Sequence, residues 1–125
     1  MDKIYRLWLP VIGWAYLIFF LSSIPNLRSN LSCDFFLRKF AHIIEYAVLT
    51  FLLLRAFQHS FRVSVLDLVI YPMIIAVIFA STDEYHQTFV VGRHGEFKDV
   101  LIDCVGVIGI YIAIFLINKL NETKK

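Results

Sequence analysis

The sequence predicts an all-α, polytopic membrane protein whose four transmembrane helices form one compact bundle. Of its 125 residues, 59% are hydrophobic and only 18% are charged, which is too little polar surface for a soluble domain of this size. Four apolar segments each approach the roughly 20 residues that cross the core of a bilayer. No strand alternation or hairpin turn chemistry is present, so helices must satisfy the backbone in lipid.

The predicted helices follow one another through short polar connections and make up a single domain over residues 1–125. The first span ends before Pro25, and no small-residue cleavage site follows it, which favours an uncleaved helix over a secretory signal. Pro72 lies inside the third span and predicts a kink there. The four spans are predicted at 5–22, 35–57, 63–82 and 99–118.

Lysine and arginine counts predict the orientation in the membrane. Seven of the twelve lie on the side of the two termini and five on the other side, and two of those five belong to a polar cluster described below. The bias predicts that both termini are cytoplasmic. The two sets are Lys3, Arg6, Arg55, Arg62, Lys119, Lys124 and Lys125 against Arg28, Arg38, Lys39, Arg93 and Lys98.

Polar and ionisable residues interrupt three of the spans at the same end of the bundle. Because successive helices alternate in direction, the start of the second span, the end of the third and the start of the fourth meet in one leaflet, which the orientation above makes the outer one. A charged side chain in a span costs at least about 2.5–3.5 kcal/mol, so such residues are usually functional. The predicted site comprises Lys39, His42, Glu45, Tyr46, Asp83, Glu84, Gln87, Arg93, Asp99 and Asp103.

Helical spacing predicts how this set is arranged. Residues three or four apart share one helix face, so each helix presents its polar residues to the other helices and its large apolar residues to lipid. On the fourth span, Gly106 and Gly109 predict a surface that another helix can approach closely.

The charge balance of the predicted site is incomplete. Lys39 and Arg93 contribute two positive charges and the carboxylates five negative ones, which leaves an excess of three. Either some carboxylates hold protons, or a cation lies among them, or part of the set faces water. Oxygen-rich surroundings with one imidazole would favour Mg, Mn or Ca over Zn. The candidate ligands of such a divalent cation are His42, Glu45, Asp83 and Glu84.

The basic residues predict a second chemistry, the binding of phosphate. Arg93 in a glycine-flanked loop could grip a phosphate bidentately, and Lys39 could bind it as a point charge. The partner would be a membrane lipid or a lipid-linked envelope precursor, whereas nothing in the charge pattern predicts a nucleic-acid partner. The four candidate metal ligands are then also the candidate acid–base residues.

The alternative to these chemistries is a purely structural role. The polar set could hold three helices together through ion pairs, namely Lys39–Glu45, Arg93–Asp83 or Arg93–Asp99.

Other polar and aromatic residues are expected at ordinary membrane positions. His86 and His94 are expected to be solvated at the interface, and Trp8 and Trp14 to face the interface or lipid.

The ordered motifs resemble those of the VanZ-like family. They are Lys39-x-x-His42-x-x-Glu45-Tyr46, then Asp83-Glu84-x-x-Gln87-x-Phe89-x-x-x-Arg93, then Asp99-x-x-x-Asp103-x-x-Gly106-x-x-Gly109. The end of the first span, Phe20-Leu21-Ser22-Ser23, is also similar to that family. The resemblance covers nearly the whole chain and implies a small four-helix bacterial protein of the cell envelope. The founding member is linked to resistance to the glycopeptide teicoplanin. Position 103 is Asp where the family's usual pattern has Asn, which adds an ionisable group.

Three functions follow as alternatives. The first is an intramembrane site that binds, with or without modifying, a lipid or lipid-linked precursor. The second is a non-catalytic membrane protein whose polar cluster is structural and which acts through envelope partners or glycopeptide access. The third, an ion or proton pathway, is disfavoured because the other half of every span is apolar. The glycine-lined faces would also permit a homodimer.

Overall fold

The computed structural model describes residues 2–25 and 31–123, and those residues form four α-helices and no strand. All four helices are long and apolar enough to cross a membrane, which confirms the predicted fold class. The helices are α1 (Asp2–Ser23), α2 (Asp34–Ser60), α3 (Val65–Gln87) and α4 (Phe97–Thr123). Arg28, Lys124 and Lys125, which entered the charge count, lie outside the described residues.

Each helix is longer than the apolar span predicted for it. The largest difference at the site is in α3, which continues past residue 82 to Gln87, so that the whole Asp83–Gln87 motif is helical. Pro10 and Pro72 both lie inside continuous helices. Polar residues can end a hydrophobic span without ending the helix, because the backbone of the polar stretch still makes the intrahelical hydrogen bonds.

The core lies along one face of each helix. On α1 the buried positions are Leu7, Val11, Ile18 and Ser22, whose spacing of four, seven and four residues keeps them on one face. α2 packs against all three other helices, and its buried Leu49 and Leu53 belong to the same core cluster. Large apolar side chains are exposed along every helix, as expected for surfaces that face lipid.

Two tryptophans that were expected to face the interface or lipid instead tie α1 to α2. The Trp8 indole N–H donates to Ser60 Oγ at 3.0 Å, and that of Trp14 donates to the backbone carbonyl of Glu45 at 2.9 Å. Both side chains pack against the core cluster. In a low-dielectric interior an indole N–H needs an acceptor, and the facing helix provides one in each case.

The two glycines of α4 behave differently. A Cβ on Gly106 would collide with the backbone of α2, coming within 3.0 Å of the Ile43 carbonyl carbon and 3.1 Å of the Ala47 nitrogen. A Cβ on Gly109 would meet nothing within 4 Å. The close approach of α2 and α4 therefore takes place at Gly106, next to the polar residues of both helices.

A capping box that the sequence analysis did not single out begins α3. Asp67 N–H donates to Ser64 Oγ at 3.1 Å, and Ser64 N–H donates back to Asp67 Oδ2 at 3.4 Å. Replacing Ser64 with alanine is expected to lower the free energy of unfolding by about 1 kcal/mol, because a helix N-terminus loses its side-chain acceptor. Thermal unfolding in detergent micelles measures the change. Ser81→Ala, which removes only an exposed hydroxyl bonded within its own helix, is the matched control and should be nearly neutral.

Candidate functional site

Three carboxylates are buried at one end of the bundle. Asp83 and Asp103 are each 1% exposed and Glu84 is 4% exposed. They stand where α3 ends and α4 begins, on the faces that form the core elsewhere in the two helices. The helix alternation predicted from the sequence therefore does bring these residues of α3 and α4 together.

A hydrogen-bond network joins α1 to the end of α3. Ser22 Oγ donates to Asp83 Oδ2 at 2.7 Å, and Gln87 Nε2 donates to the same oxygen at 3.1 Å. Gln87 Nε2 also lies 3.5 Å from Glu84 Oε1. Ser22 was not among the predicted site residues, so the site has walls from four helices rather than three. The available signal was the family resemblance of the Phe20-Leu21-Ser22-Ser23 stretch, which did not assign Ser22 to the site.

Several buried polar atoms around this network have no hydrogen-bond partner. His42 Nδ1 lies 3.6 Å from Asp103 Oδ1 and equally far from Glu45 Oε2, which is too long for a hydrogen bond. The remaining unpartnered atoms in this region are Tyr46 Oη, Asp83 Oδ1, Glu84 Oε2 and both carboxylate oxygens of Asp103. Buried polar groups in proteins are nearly always satisfied, so these atoms remain available to bound water, a proton or a ligand. We call His42, Glu84 and Asp103 the acidic floor.

A cleft of about 350 Å³ opens beside the acidic floor, and we call it the basic cleft. Four cations and two carboxylates line it, and His42 belongs both to its wall and to the floor. One of the cations, Arg38, also pairs with Asp34 at 3.0 Å, which leaves a local excess of one positive charge. The charged residues are Arg38, Lys39, Arg93, Lys98, Glu96 and Asp99. The negative excess counted from the sequence is thus divided in space, with cations toward the opening and buried carboxylates beneath.

The ion pairs differ from those considered from the sequence. Lys39 pairs with Asp99 across α2 and α4 rather than with Glu45. Arg93 pairs with neither Asp83 nor Asp99. The geometry of the helix explains the first difference. Lys39 and Glu45 are six residues apart in α2, so their side chains lie about 120° apart around the helix and on different faces.

The guanidinium of Arg93 instead holds the end of α1. Its Nη2 donates to the carbonyl oxygen of Leu21 at 2.9 Å, and Nε lies 3.4 Å from that of Ile24. The Leu21 carbonyl also accepts from the Ile24 N–H at 3.3 Å. Carbonyls at a helix C-terminus carry a partial negative charge, so a cation is favourable there. Burial lowers the pKa of Arg93 below its usual range, with the nearby Arg38 adding to the effect, yet an arginine stays protonated at physiological pH. With five N–H donors, it keeps some for a ligand in the cleft.

The loop between α3 and α4 is shaped by glycine. Gly92 has φ of 77°, which favours glycine, and it turns the chain just before Arg93. A Cβ on Gly95 would collide with the backbone of Glu84 and lie 2.9 Å from Thr88 Cγ2. The loop therefore lies directly against the end of α3 and holds Arg93 at the cleft wall.

The remaining predicted residues lie close to this site. Tyr46 is fully buried. Glu45 is half-buried, with Oε2 3.6 Å from His42 Nδ1. His94 is exposed and lines the cleft, whereas His86 is half-buried against α1, with Nε2 3.0 Å from Ser23 Oγ and its ring stacked on Phe19. The solvated position expected for His86 is therefore wrong.

Some cleft residues escaped the sequence analysis. Arg38 and Lys98 line the cleft but were counted only for orientation. Each is adjacent in sequence to a predicted residue, Lys39 or Asp99, and that adjacency was the available signal.

Comparison with known proteins identifies one family. The family model described as VanZ/LLP1 matches residues 7–118, which include every helix that contributes to the site. No curated protein and no solved structure was found to match the chain.

Proposed function

This chain belongs to the VanZ-like family, and we propose that its basic cleft binds the phosphate of a membrane lipid or lipid-linked envelope precursor. The observation that carries the proposal is the excess of cations over carboxylates around one cleft at the end of a membrane bundle. Such a position suits a ligand whose head is anionic and whose tail stays in lipid.

The chemistry of the cleft supports an anion. Arg93 offers a planar fork of N–H groups, which suits two phosphate oxygens at once, and Lys98 is an exposed ammonium at the same opening. Lys39 is shared with Asp99, so an incoming phosphate would compete for, or join, that ion pair. The pocket size is in the range of small-molecule sites and exceeds what a bare phosphate needs, which leaves room for part of a larger head group.

The surroundings of the cleft support a lipid as the source of that phosphate. Phe35 lines the cleft and is 58% exposed, and the neighbouring Phe36 and Phe97 are 73% and 77% exposed. Exposed aromatic side chains beside a basic opening offer an apolar surface along which a hydrocarbon tail can lie. Binding of an envelope precursor from the outer leaflet of the bacterial cell membrane would also connect the site with glycopeptide resistance.

Modification of the bound lipid would draw on the acidic floor. His42 lines the cleft and lies 3.6 Å from Asp103, so a group bound by the cations would stand beside a histidine and buried carboxylates. These residue types can accept and donate protons, which is the acid–base role proposed for His42, Glu45, Asp83 and Glu84.

The test compares farnesyl monophosphate with farnesol, which has the same tail and no charge, by titration into the purified protein in neutral detergent. Farnesyl monophosphate is expected to bind at least about tenfold more tightly, with an affinity that falls as salt is raised. Inorganic phosphate as competitor separates recognition of the anion alone from recognition of the lipid. Equal affinity for the two farnesyl compounds would contradict the proposal.

Charge variants locate the binding. Lys98→Glu reverses an exposed cation of the cleft and is expected to weaken farnesyl monophosphate binding about tenfold with little change in stability. Arg93→Ala should weaken it further, because a hydrogen bond to a charged group contributes about 1.5–3 kcal/mol. Arg55→Ala removes an exposed arginine from the other end of α2 and should bind like the unaltered protein. Binding that is unchanged in Arg93→Ala would remove this role from Arg93.

A second candidate function is a non-catalytic membrane protein whose polar cluster fixes the helices and which acts through envelope partners. The contacts of Arg93 with the Leu21 and Ile24 carbonyls favour it, since they stabilise the bundle without any ligand. Under this function Glu84→Gln should leave glycopeptide susceptibility of an expressing strain unchanged. A role of Glu84 in proton transfer would make the same variant inactive.

A further inference from the structure

We infer that His42, Glu84 and Asp103 form a binding site for a divalent cation beneath the basic cleft. One donor atom of each residue lies within 4.8 Å of the others, although the residues come from three different helices. The site is not needed for phosphate binding by the cleft and can be tested without any lipid.

The distances suit a metal ion better than direct contact. His42 Nδ1 and Asp103 Oδ1 are 3.6 Å apart, which is too far for a hydrogen bond. Donor atoms bound to one ion at about 2.0–2.2 Å lie roughly 3 to 4.5 Å from each other, so this pair already fits and the widest pair needs only a small side-chain movement. The three donor groups therefore lie close enough together to share one ion after a small side-chain movement.

The unpartnered atoms point to a ligand that is positively charged. Asp103 is 1% exposed, and neither of its carboxylate oxygens has a hydrogen-bond partner. Glu84 Oε2 and His42 Nδ1 are also buried atoms without a hydrogen-bond partner. Two ionised carboxylates buried without a cation would carry a large desolvation cost, so without a bound cation they would have to hold protons. The Lys39 ammonium is engaged by Asp99, and the Arg93 guanidinium holds the end of α1. A bound dication would satisfy all three donor groups at once.

The surrounding contacts orient the donors. Gln87 Nε2 is shared between Asp83 Oδ2 and Glu84 Oε1, which leaves Glu84 Oε2 as the free oxygen. Ser22 fixes Asp83 from the side of α1. Outer hydrogen bonds of this kind are typical of metal sites, where they hold ligand carboxylates in place. Gln87 is thus a positioning residue for the inferred site.

The donor set indicates the class of ion. Two carboxylate oxygens and one imidazole nitrogen exclude the thiolate-rich sites of structural zinc and suit first-row divalent ions, with Mn²⁺ compatible with both kinds of donor. Three protein ligands leave coordination positions open, and His42 places the centre next to the cleft. An anion held by the cleft cations could complete the coordination.

The test measures metal content directly. The purified protein is stripped with EDTA, incubated separately with MnCl₂, ZnCl₂ or CaCl₂, desalted and analysed for metal by mass spectrometry. About one equivalent of at least one ion should remain per chain, and that ion should raise the thermal midpoint of unfolding by several degrees. Failure of all three ions to bind would overturn the inference, whatever the protein does with farnesyl monophosphate.

Variants assign the bound ion to this site. Asp103→Asn and Glu84→Gln keep the shape of the side chain and should each weaken binding at least about tenfold, and Gln87→Ala should weaken it by a smaller factor. Glu122→Gln makes the same kind of change at an exposed position near the other end of α4 and should retain the ion. Circular dichroism and gel filtration confirm that each variant is folded. An ion retained with unchanged affinity in both Asp103→Asn and Glu84→Gln would overturn the inference as surely as no binding.

Discussion

Substitution of Gly106 with alanine is expected to destabilise the bundle by about 1–3 kcal/mol, and substitution with valine to prevent folding. The new Cβ would collide with the Ile43 carbonyl and lie 3.1 Å from the Ala47 nitrogen, and these are backbone atoms that cannot turn aside. The helices α2 and α4 would have to separate. Because Ile43 is next to His42, the separation would also pull the two helices apart at the acidic floor.

The measurement is thermal or denaturant unfolding in mixed micelles, with metal retention as a second readout. Gly109→Ala is the matched control, since its Cβ would meet nothing within 4 Å. That control is expected to be neutral or slightly stabilising, because alanine favours a helix by about 1 kcal/mol over glycine. Equal stability of the two alanine variants would show that α2 and α4 do not meet closely at Gly106.

Substitution of Asp83 with alanine is expected to lower the free energy of unfolding by about 3 kcal/mol. Asp83 is 1% exposed and accepts hydrogen bonds from Ser22 and Gln87, which are themselves 2% and 4% exposed. Alanine would leave both donors buried without that acceptor, and each unsatisfied donor costs about 1–3 kcal/mol. The same unfolding measurements detect the loss.

Asp83→Asn separates the hydrogen bonds from the charge. Its amide oxygen can still accept from Ser22, so most of the stability should be retained. Ser22→Ala should cost less than Asp83→Ala, because Gln87 keeps its acceptor. A destabilisation of Asp83→Asn as large as that of Asp83→Ala would mean that the negative charge, rather than hydrogen bonding, holds α1 to α3.

The sequence was sufficient to predict the four helices and the end of the bundle where the polar residues gather. The composition of the four segments predicts the helices, and the alternating direction of successive spans predicts the end of the bundle that they share. Neither prediction requires knowledge of side-chain orientation. The close approach at Gly106 also followed from residue size, although Gly109 shows that a small residue alone does not place a neighbour.

The division of the site into a basic cleft and an acidic floor could not be predicted in the same way. It depends on how each helix is rotated about its axis, which decides that Lys39 meets Asp99 while His42, one turn later, faces Asp103. The roles of Ser22 and Arg93 depend on packing between segments more than 60 residues apart in the chain. The local sequence around a single serine or a loop arginine does not predict such a distant contact.

The contribution of α1 has a consequence for biosynthesis. Ser22 and the Leu21 carbonyl enter the membrane with the first helix, whereas Asp83 and Arg93 are synthesised 61 and 72 residues later. The Lys39 ammonium likewise precedes its partner Asp99 by 60 residues. Nascent chains grow from the N-terminus, so each of these ties closes only when the C-terminal half arrives. A chain arrested before α4 would hold α1, α2 and α3 in the bilayer with Lys39 lacking its partner Asp99, and such intermediates should be preferred substrates of membrane quality-control proteases.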